Sequence, residues 1–188
     1  MFLRKPARAR DPLTVTMAGV RMGERVLQIG FHDAMLTGVL VGKAGLSGHA
    51  VIVVKDDAQA ARAQRACEDA GVLGEIHVGR FDVLPVEDTG FDVVVVHGND
   101  AAFARADDEA RIGTFRECRR VLRVGGRLLV IESEPRTGFV AALLSRGREV
   151  PDHARRDLAS ALSRAGFSAA RVLAEREGHR FTEGLKGP

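Results

Sequence analysis

Side chains that could bind a ligand or move a proton stand directly after the apolar runs of this sequence. The run at residues 26–29 ends on Gly30, and Phe31, His32 and Asp33 follow it. A glycine at such a junction lets a ligand come close to the backbone, and the start of the next helix can bind an anionic group. We therefore expect a nucleotide-type ligand site to begin at Gly30.

Four further apolar runs end in the same way. The residues after them could bind ribose hydroxyls, stack on a base or exchange a proton: Lys55, Asp56 and Asp57; Arg80, Phe81 and Asp82; His97, Gly98 and Asn99; and Glu132, Ser133 and Glu134. His97 ends an all-valine run, which favours a position facing a ligand. His97 and His32 are therefore the candidates for a catalytic base, and no metal ligands are predicted.

Each of these residues also has a structural interpretation. Asp33 precedes a helix pattern, and we interpret it as the cap of that helix. Asp56 and Asp57 could bind a sugar or could equally begin a helix, whose dipole favours acidic residues there. Phe81 could belong to the core, and His32 could be an ordinary loop histidine. The residues alone leave these alternatives open.

Alternating strands and helices are predicted to position the candidate residues. Strand patterns cover residues 25–30, 50–54, 75–79, 91–96, 127–131, 169–174 and 179–183, and helix patterns cover 34–45, 58–70, 107–122 and 152–165. Several strand runs are continuously apolar, which is typical of parallel strands covered on both faces. Gly125 and Gly126 are expected to end one helix and open the next strand. The pattern predicts a doubly wound α/β sheet with ligands at its carboxyl edge.

Composition excludes several other classes of protein. The 188 residues predict one domain, residues 1–188, with a basic arm at 1–11. A net charge of +3 is too small to indicate nucleic acid, and no apolar stretch approaches the length of a membrane span. Cys67 and Cys118 suggest reduced thiols rather than a disulfide or zinc site, so we expect a cytoplasmic protein. An apolar stripe at 135–151 is expected to pack in the core or a lid, with an oligomer contact as the alternative.

From about residue 12 to about residue 183, the order of elements resembles a class I S-adenosylmethionine-dependent methyltransferase, of the type-11 kind related to quinone-biosynthesis enzymes. The motifs that carry the resemblance lie at residues 21–30, 84–85 with 91–95, 120–128 and 162–167. The resemblance implies a Rossmann-like sheet of seven strands, mostly parallel, with the last strand antiparallel. It implies S-adenosylmethionine as the cofactor, in contact with Gly30, Phe31, His32, Lys55, Asp56, Arg80, Phe81, Asp82 and His97.

The sequence departs from this family's pattern at several cofactor positions. The family's acid in the first strand matches Gln28, and two of its glycines match His32 and Ala34. Its ribose and adenine acids align with Lys55 and Arg80, although Asp56 and Asp82 are close by. A lysine cannot accept hydrogen bonds from ribose hydroxyls, and its charge is unfavourable near a sulfonium. The cofactor loop is therefore predicted to be degenerate.

Two functions follow from these observations. The first is an S-adenosylmethionine-dependent methyltransferase with a divergent cofactor site and an unknown small-molecule acceptor. The alternative is a methyltransferase-like protein that has lost S-adenosylmethionine binding and acts as a scaffold or binds another ligand, such as an anion at Lys55 and Arg80. A nicotinamide-binding domain is a weaker third interpretation, because Gly30, His32 and Met35 lack the Gly-x-Gly-x-x-Gly spacing.

Overall fold

The computed structural model describes residues 12–133 and 157–188. The elements follow the order α1 (Pro12–Ala18), β1 (Arg25–Ile29), α2 (Ala34–Ala44), β2 (His49–Val54), α3 (Asp57–Ala70), β3 (Glu75–Val78), β4 (Phe91–His97), α4 (Ala101–Arg105), α5 (Asp108–Val121), β5 (Leu122–Ser133), α6 (Leu158–Arg164), β6 (Ser168–Arg176) and β7 (His179–Leu185). The predicted arm at 1–11, Glu134, the stripe at 135–151 and the predicted helix start at 152 lie outside the described residues.

The described strands form one seven-stranded sheet in the order β3-β2-β1-β4-β5-β7-β6. Strands β1 to β5 pair in parallel, and β7 runs antiparallel between β5 and β6. This confirms the predicted sheet with its antiparallel last strand. Strand order reverses between β1 and β4, so the carboxyl ends of these two central strands lie next to each other at the expected place for a ligand.

The central strands are buried because helices cover both faces of the sheet. Leu27 and Ile29 of β1 belong to the core on one face, with residues of α5 and α6. Val26 packs into the core on the other face, with residues of α2 and α3. Continuous apolar runs therefore suit these strands, since successive side chains point to opposite faces and both faces are covered.

The start of β5 corrects the prediction for Gly125 and Gly126. Strand β5 begins at Leu122, directly after α5, so the two glycines lie inside the strand. Gly125 has a φ of +76°, and its N–H donates to the carbonyl of Lys186. The register with β4 shifts between Phe91 and Val93 at the same place. The glycines therefore absorb a bulge in the strand instead of separating it from the helix.

Both cysteines are free and buried, as expected for reduced thiols. Burial raises the pKa of the Cys67 thiol and of the Cys118 thiol, so neither is a reactive thiolate. No group of histidine, cysteine and acidic residues among residues 12–133 and 157–188 is arranged to hold a metal ion. Within the same ranges, every helix is too short or too polar to cross a membrane.

Candidate functional site

The three loops expected to share a site do lie together at the carboxyl edge of the sheet. The Gly30 N–H donates to the carbonyl of Val53 at 2.9 Å, and the Gly79 N–H donates to Val54 at 2.9 Å. The Lys55 Nζ lies 5.8 Å from the centre of the Phe81 ring. These contacts place the ends of β1, β2 and β3 side by side. Of the three loops, only the one after β1 lines the cavity described below, through His32 and Asp33.

Gly30 is required by both its backbone conformation and its surroundings. Its φ is +78°, in the left-handed region that favours glycine. A Cβ built on Gly30 would lie 2.7 Å from the Cβ of Asp100. The group that approaches the glycine so closely is therefore a side chain of the protein, from the loop between β4 and α4.

Asp100 joins the ends of three strands. Its Oδ2 accepts from the Phe31 N–H at 3.1 Å and from Nε2 of Gln59 at 2.9 Å. Its Oδ1 accepts from the backbone N–H groups of α4, at 2.8 Å for Ala102. The Gln59 Oε1 accepts from the Lys55 N–H at 3.0 Å. This network, which we call the Asp100 network, links the loops after β1, β2 and β4.

Sequence reasoning missed both Asp100 and α4. The available signal was an Asp directly before the run Ala-Ala-Phe-Ala, which is a good position for a helix cap. Helix α4 is only five residues long, too short to show a helical period. Its packing against Gly30 depends on the reversal of strand order and could not be read from the sequence.

A second part of the same edge contains a cavity of about 100 Å³. It lies beside the ends of β4 and β5, the start of β7, and helices α1 and α2. Apolar side chains of the two helices and β5 line one part of its wall. Polar side chains line the other part: Thr14, His32, Asp33, His97, Asn99, Ser133 and His179. A cavity with this division can hold the apolar body of a small molecule and orient its polar group.

His97 is the most unusual group in this cavity wall. The residue is 2% exposed, and its Nε2 has no hydrogen-bond partner among the described residues. The pKa of His97 is lowered to about 4, mainly by burial and in smaller part by the nearby His32, while Asp33 and Asp100 oppose the shift. The imidazole is therefore neutral near pH 7 and has an unsatisfied nitrogen beside the cavity, whereas His32 is exposed.

Hydrogen bonds order the rest of the polar wall. The Asn99 Nδ2 donates to the Ser133 carbonyl at 2.7 Å, and the Ser133 N–H donates back to the Asn99 Oδ1. The Ser133 Oγ lies 3.0 Å from Nδ1 of His179. The prediction did not assign His179 to the site. Because β7 is antiparallel, its first residue reaches the edge where the parallel strands end, and only the topology reveals this.

Comparison with known proteins identifies the family. The sequence pattern of the family described as "Methyltransferase domain" matches residues 26–126, more than half of the chain. The chain belongs to this methyltransferase family. That membership agrees with the predicted resemblance and supports S-adenosylmethionine as the cofactor.

Several relatives of this chain are named ubiquinone/menaquinone biosynthesis C-methyltransferase UbiE. The protein from Azotobacter vinelandii is 32% identical over 165 residues, which cover 86% of this chain and 62% of the relative. The protein from Ectopseudomonas mendocina is 33% identical over 131 residues, which cover 68% of this chain and 49% of the relative. The chain thus spans about half to three fifths of the length of these relatives.

Solved structures confirm the methyltransferase fold. A SAM-dependent methyltransferase from Aquifex aeolicus matches with a TM-score of 0.72 and 17% identity, covering 97% of this chain and 94% of that protein. The S-adenosylmethionine-dependent methyltransferase SibL matches with a TM-score of 0.67 and 20% identity, covering 94% and 54%. At these identities the likeness establishes the Rossmann-like architecture.

Gln28, which the resemblance aligns with the family's first-strand acid, is buried in β1. Its Nε2 donates to the Gly30 carbonyl at 3.1 Å and to the Thr37 Oγ1 at 2.9 Å. The Thr37 hydroxyl donates in turn to the Asp33 carbonyl at 2.9 Å. The buried amide therefore fixes the loop after β1 through neutral hydrogen bonds.

The acids nearest to the family's cofactor positions have partners within the protein. Asp33 caps α2 by accepting from the Leu36 N–H at 3.1 Å, which confirms its predicted role. Asp56 caps α3 by accepting from the Gln59 N–H at 2.8 Å. For Asp56, the structure thus supplies the helix-start alternative that the sequence had left open.

The loop after β3 is also occupied by internal contacts. Arg80 donates to the two oxygens of Asp82 at 3.0 Å and 2.6 Å. The Arg80 guanidinium lowers the pKa of the Asp82 carboxyl. Phe81 belongs to the core rather than to an open stacking surface, with Lys55 above its ring. At this loop, Arg80 and Val83 face solvent, whereas Phe81 is buried.

Proposed function

We propose that this chain is an S-adenosylmethionine-dependent methyltransferase with a divergent cofactor site, acting on a small molecule bound in the cavity beside His97. The observation that carries this proposal is the position of that cavity. It lies beside the end of β4, next to the loop after β1, so a ligand at the strand ends and a ligand in the cavity would be neighbours. The family match makes methyl transfer the reaction class.

The carboxyl edge of the sheet has the position and the negative charge expected of a site for S-adenosylmethionine. Gly30 stands at the reversal of strand order, and the buried Asp100 carboxylate supplies negative charge beneath it. Phe31 and His32 would lie along the amino-acid part. Lys55 and Asp56 would lie near the ribose. The loop of Arg80, Phe81 and Asp82 would lie near the adenine. Asp56 or Asp82 would then give up its contact within the protein and accept a hydrogen bond from the ligand. When bound, the cofactor supplies an activated methyl group.

The side chains of the cavity provide orientation and a proton acceptor. Methyl transfer needs mainly proximity and alignment of the nucleophile, so few catalytic groups are required. The neutral His97 imidazole can accept a hydrogen bond from an acidic group of the acceptor, and with a pKa of about 4 it would act as a weak base near pH 7. Asn99, Ser133 and His179 hold the opposite polar wall in place. The relatives' name makes a quinone-biosynthesis intermediate the first acceptor to test.

The alternative function is a methyltransferase-like protein without S-adenosylmethionine binding. The observations in its favour are the lysine at the ribose position, the capping role of Asp56 and the pairing of Arg80 with Asp82. Such a chain would act as a scaffold or bind an anionic ligand through Lys55 and Arg80.

Calorimetric titration of the wild-type protein separates these two functions. We expect saturable one-site binding of S-adenosylmethionine and of S-adenosylhomocysteine. Absence of heat at millimolar concentration of both ligands would reject the enzyme proposal and favour the alternative. A fluorescence titration with NADPH is the control for a nicotinamide site, and no binding is expected.

A further inference from the structure

Asp100 differs from the other buried charged residues of the described chain. Glu183 has Arg127 at 3.7 Å and Arg171 at 3.4 Å, and Arg111 has Asp108 at 2.7 Å. Asp100 is 1% exposed, and within residues 12–133 and 157–188 no lysine or arginine forms an ion pair with it. Its oxygens accept from backbone N–H groups and from the Gln59 amide.

Neutral donors stabilise this carboxylate but leave its charge in place. Buried charged groups are almost always paired, so an unpaired one indicates that a cation completes the site or that amide dipoles suffice. His97 lies close enough to interact electrostatically with Asp100, but its lowered pKa keeps it neutral. Lys55 and Arg80 are exposed, and Arg80 is already paired with Asp82. The Arg62 guanidinium lies 4.9 Å from the centre of the Phe31 ring and is also exposed, so no buried cation accompanies Asp100 among the described residues.

We propose that Asp100 sets the charge preference of the cofactor site, favouring the positively charged sulfonium cofactor over its neutral thioether product. This inference rests on the proposed function and deepens it. The Asp100 carboxylate supplies the negative charge at this edge, because Gln28 and Lys55 stand at two positions where the resemblance places acids. S-Adenosylmethionine and S-adenosylhomocysteine differ at the sulfur by one methyl group and one positive charge. A change in the ratio of their affinities when the carboxylate is neutralised therefore reports the effect of charge.

The decisive comparison uses the variant Asp100→Asn, with Asp92→Asn as its matched control. Asp92 lies at the other end of β4, where it pairs with Arg123 at 2.5 Å. Titrations of both variants with both ligands are compared with wild type, after circular dichroism has confirmed folding. We expect Asp100→Asn to weaken S-adenosylmethionine binding about tenfold and S-adenosylhomocysteine binding less than about twofold, because a charge several ångströms away in a partly buried site contributes at that level. Asp92→Asn should change neither affinity.

An equal loss for both ligands, or no loss for either, would overturn the role of Asp100 while leaving the proposed function intact. Failure of the wild type to bind either ligand would overturn the proposed function and this inference with it.

A second measurement needs no variant and covers the case in which Asp100→Asn does not fold. Sinefungin carries an ammonium group where the thioether product is uncharged. The wild type should bind sinefungin and S-adenosylmethionine at least about tenfold more tightly than S-adenosylhomocysteine. Equal binding of the three, or tightest binding of the neutral product, would contradict the proposal.

Discussion

The two halves of the carboxyl edge satisfy their polar groups in opposite ways. In the half formed by β1, β2 and β3, Asp33 and Asp56 cap helices and Arg80 pairs with Asp82. In the half formed by β4, β5 and β7, the His97 Nε2 faces a cavity without a hydrogen-bond partner in the described residues. The buried Oε1 of Gln28 in the first half also lacks a hydrogen-bond partner among the described residues, but Gln28 does not line the cavity. The comparison teaches that the first half uses Asp33, Asp56, Arg80 and Asp82 for contacts within the protein, whereas the second half has an unsatisfied group that faces open space.

The largest effect is expected where the two halves meet, at Gly30. Gly30→Ala should lower the free energy of unfolding by about 3 kcal/mol, because it combines a left-handed φ with a contact to Asp100. Urea denaturation measures this loss. Gly71→Ala is the matched control, since Gly71 has a φ of +68° and no neighbour within 4 Å of a built Cβ. Equal losses in the two variants would mean that the approach of Asp100 does not matter.

The second prediction concerns pH and the cavity half. The pKa of His97 falls from the ordinary value of 6.5 to about 4 on folding, so the unfolded chain binds the proton more tightly. The free energy of unfolding is therefore highest above pH 6.5. It falls by up to about 3 kcal/mol as the pH is lowered toward 4. Unfolding curves between pH 4 and 7 for the wild type and His97→Leu check this. A wild-type profile identical to that of the variant would refute it.

The third prediction separates stability from function at the same residue. His97→Leu should raise the free energy of unfolding at pH 7 by about 1 kcal/mol, because it removes a buried polar atom that has no partner in the described structure. Methyl transfer, once an acceptor is found, should fall about a hundredfold. His49→Leu, at an exposed histidine on the amino end of β2, should leave activity unchanged. A strongly destabilised His97→Leu protein would indicate a structural role instead.

The fourth prediction concerns the cofactor half. Lys55→Asp should strengthen S-adenosylmethionine binding several-fold, because a carboxylate can accept hydrogen bonds from ribose hydroxyls and attracts the sulfonium. Calorimetry measures the change, and Lys43→Asp, at an exposed position in the last turn of α2, is the control for charge alone. Unchanged affinity in Lys55→Asp would place Lys55 away from the ribose.

The smallest effect is expected at the exposed pair of Arg80 and Asp82. Arg80→Gln should leave the thermal unfolding midpoint within experimental error, because exposed ion pairs contribute little to stability. If Asp82 is then free to contact the adenine, S-adenosylmethionine binding should improve slightly. A clear loss of binding would instead assign Arg80 to the ligand.

Much of the fold could be predicted because its signals are local. The continuous apolar runs identify β1, β2 and β4, and Asp33 is recognisable as a cap from its place before α2. The start of β5 was placed too late, since a glycine pair signals a turn and a strand bulge equally well. The site was predicted less completely because Asp100 and His179 reach it only through strand order and the antiparallel direction of β7.

Hydrogen–deuterium exchange with and without saturating S-adenosylmethionine tests the central claim most directly, namely that one edge binds the cofactor at its β1–β3 half and leaves the cavity half for an acceptor. The account predicts slower exchange at residues 30–33, 55–59 and 80–82 and little change at 131–133 and 179–181. Protection confined to other parts of the chain, or none at saturation, would contradict it.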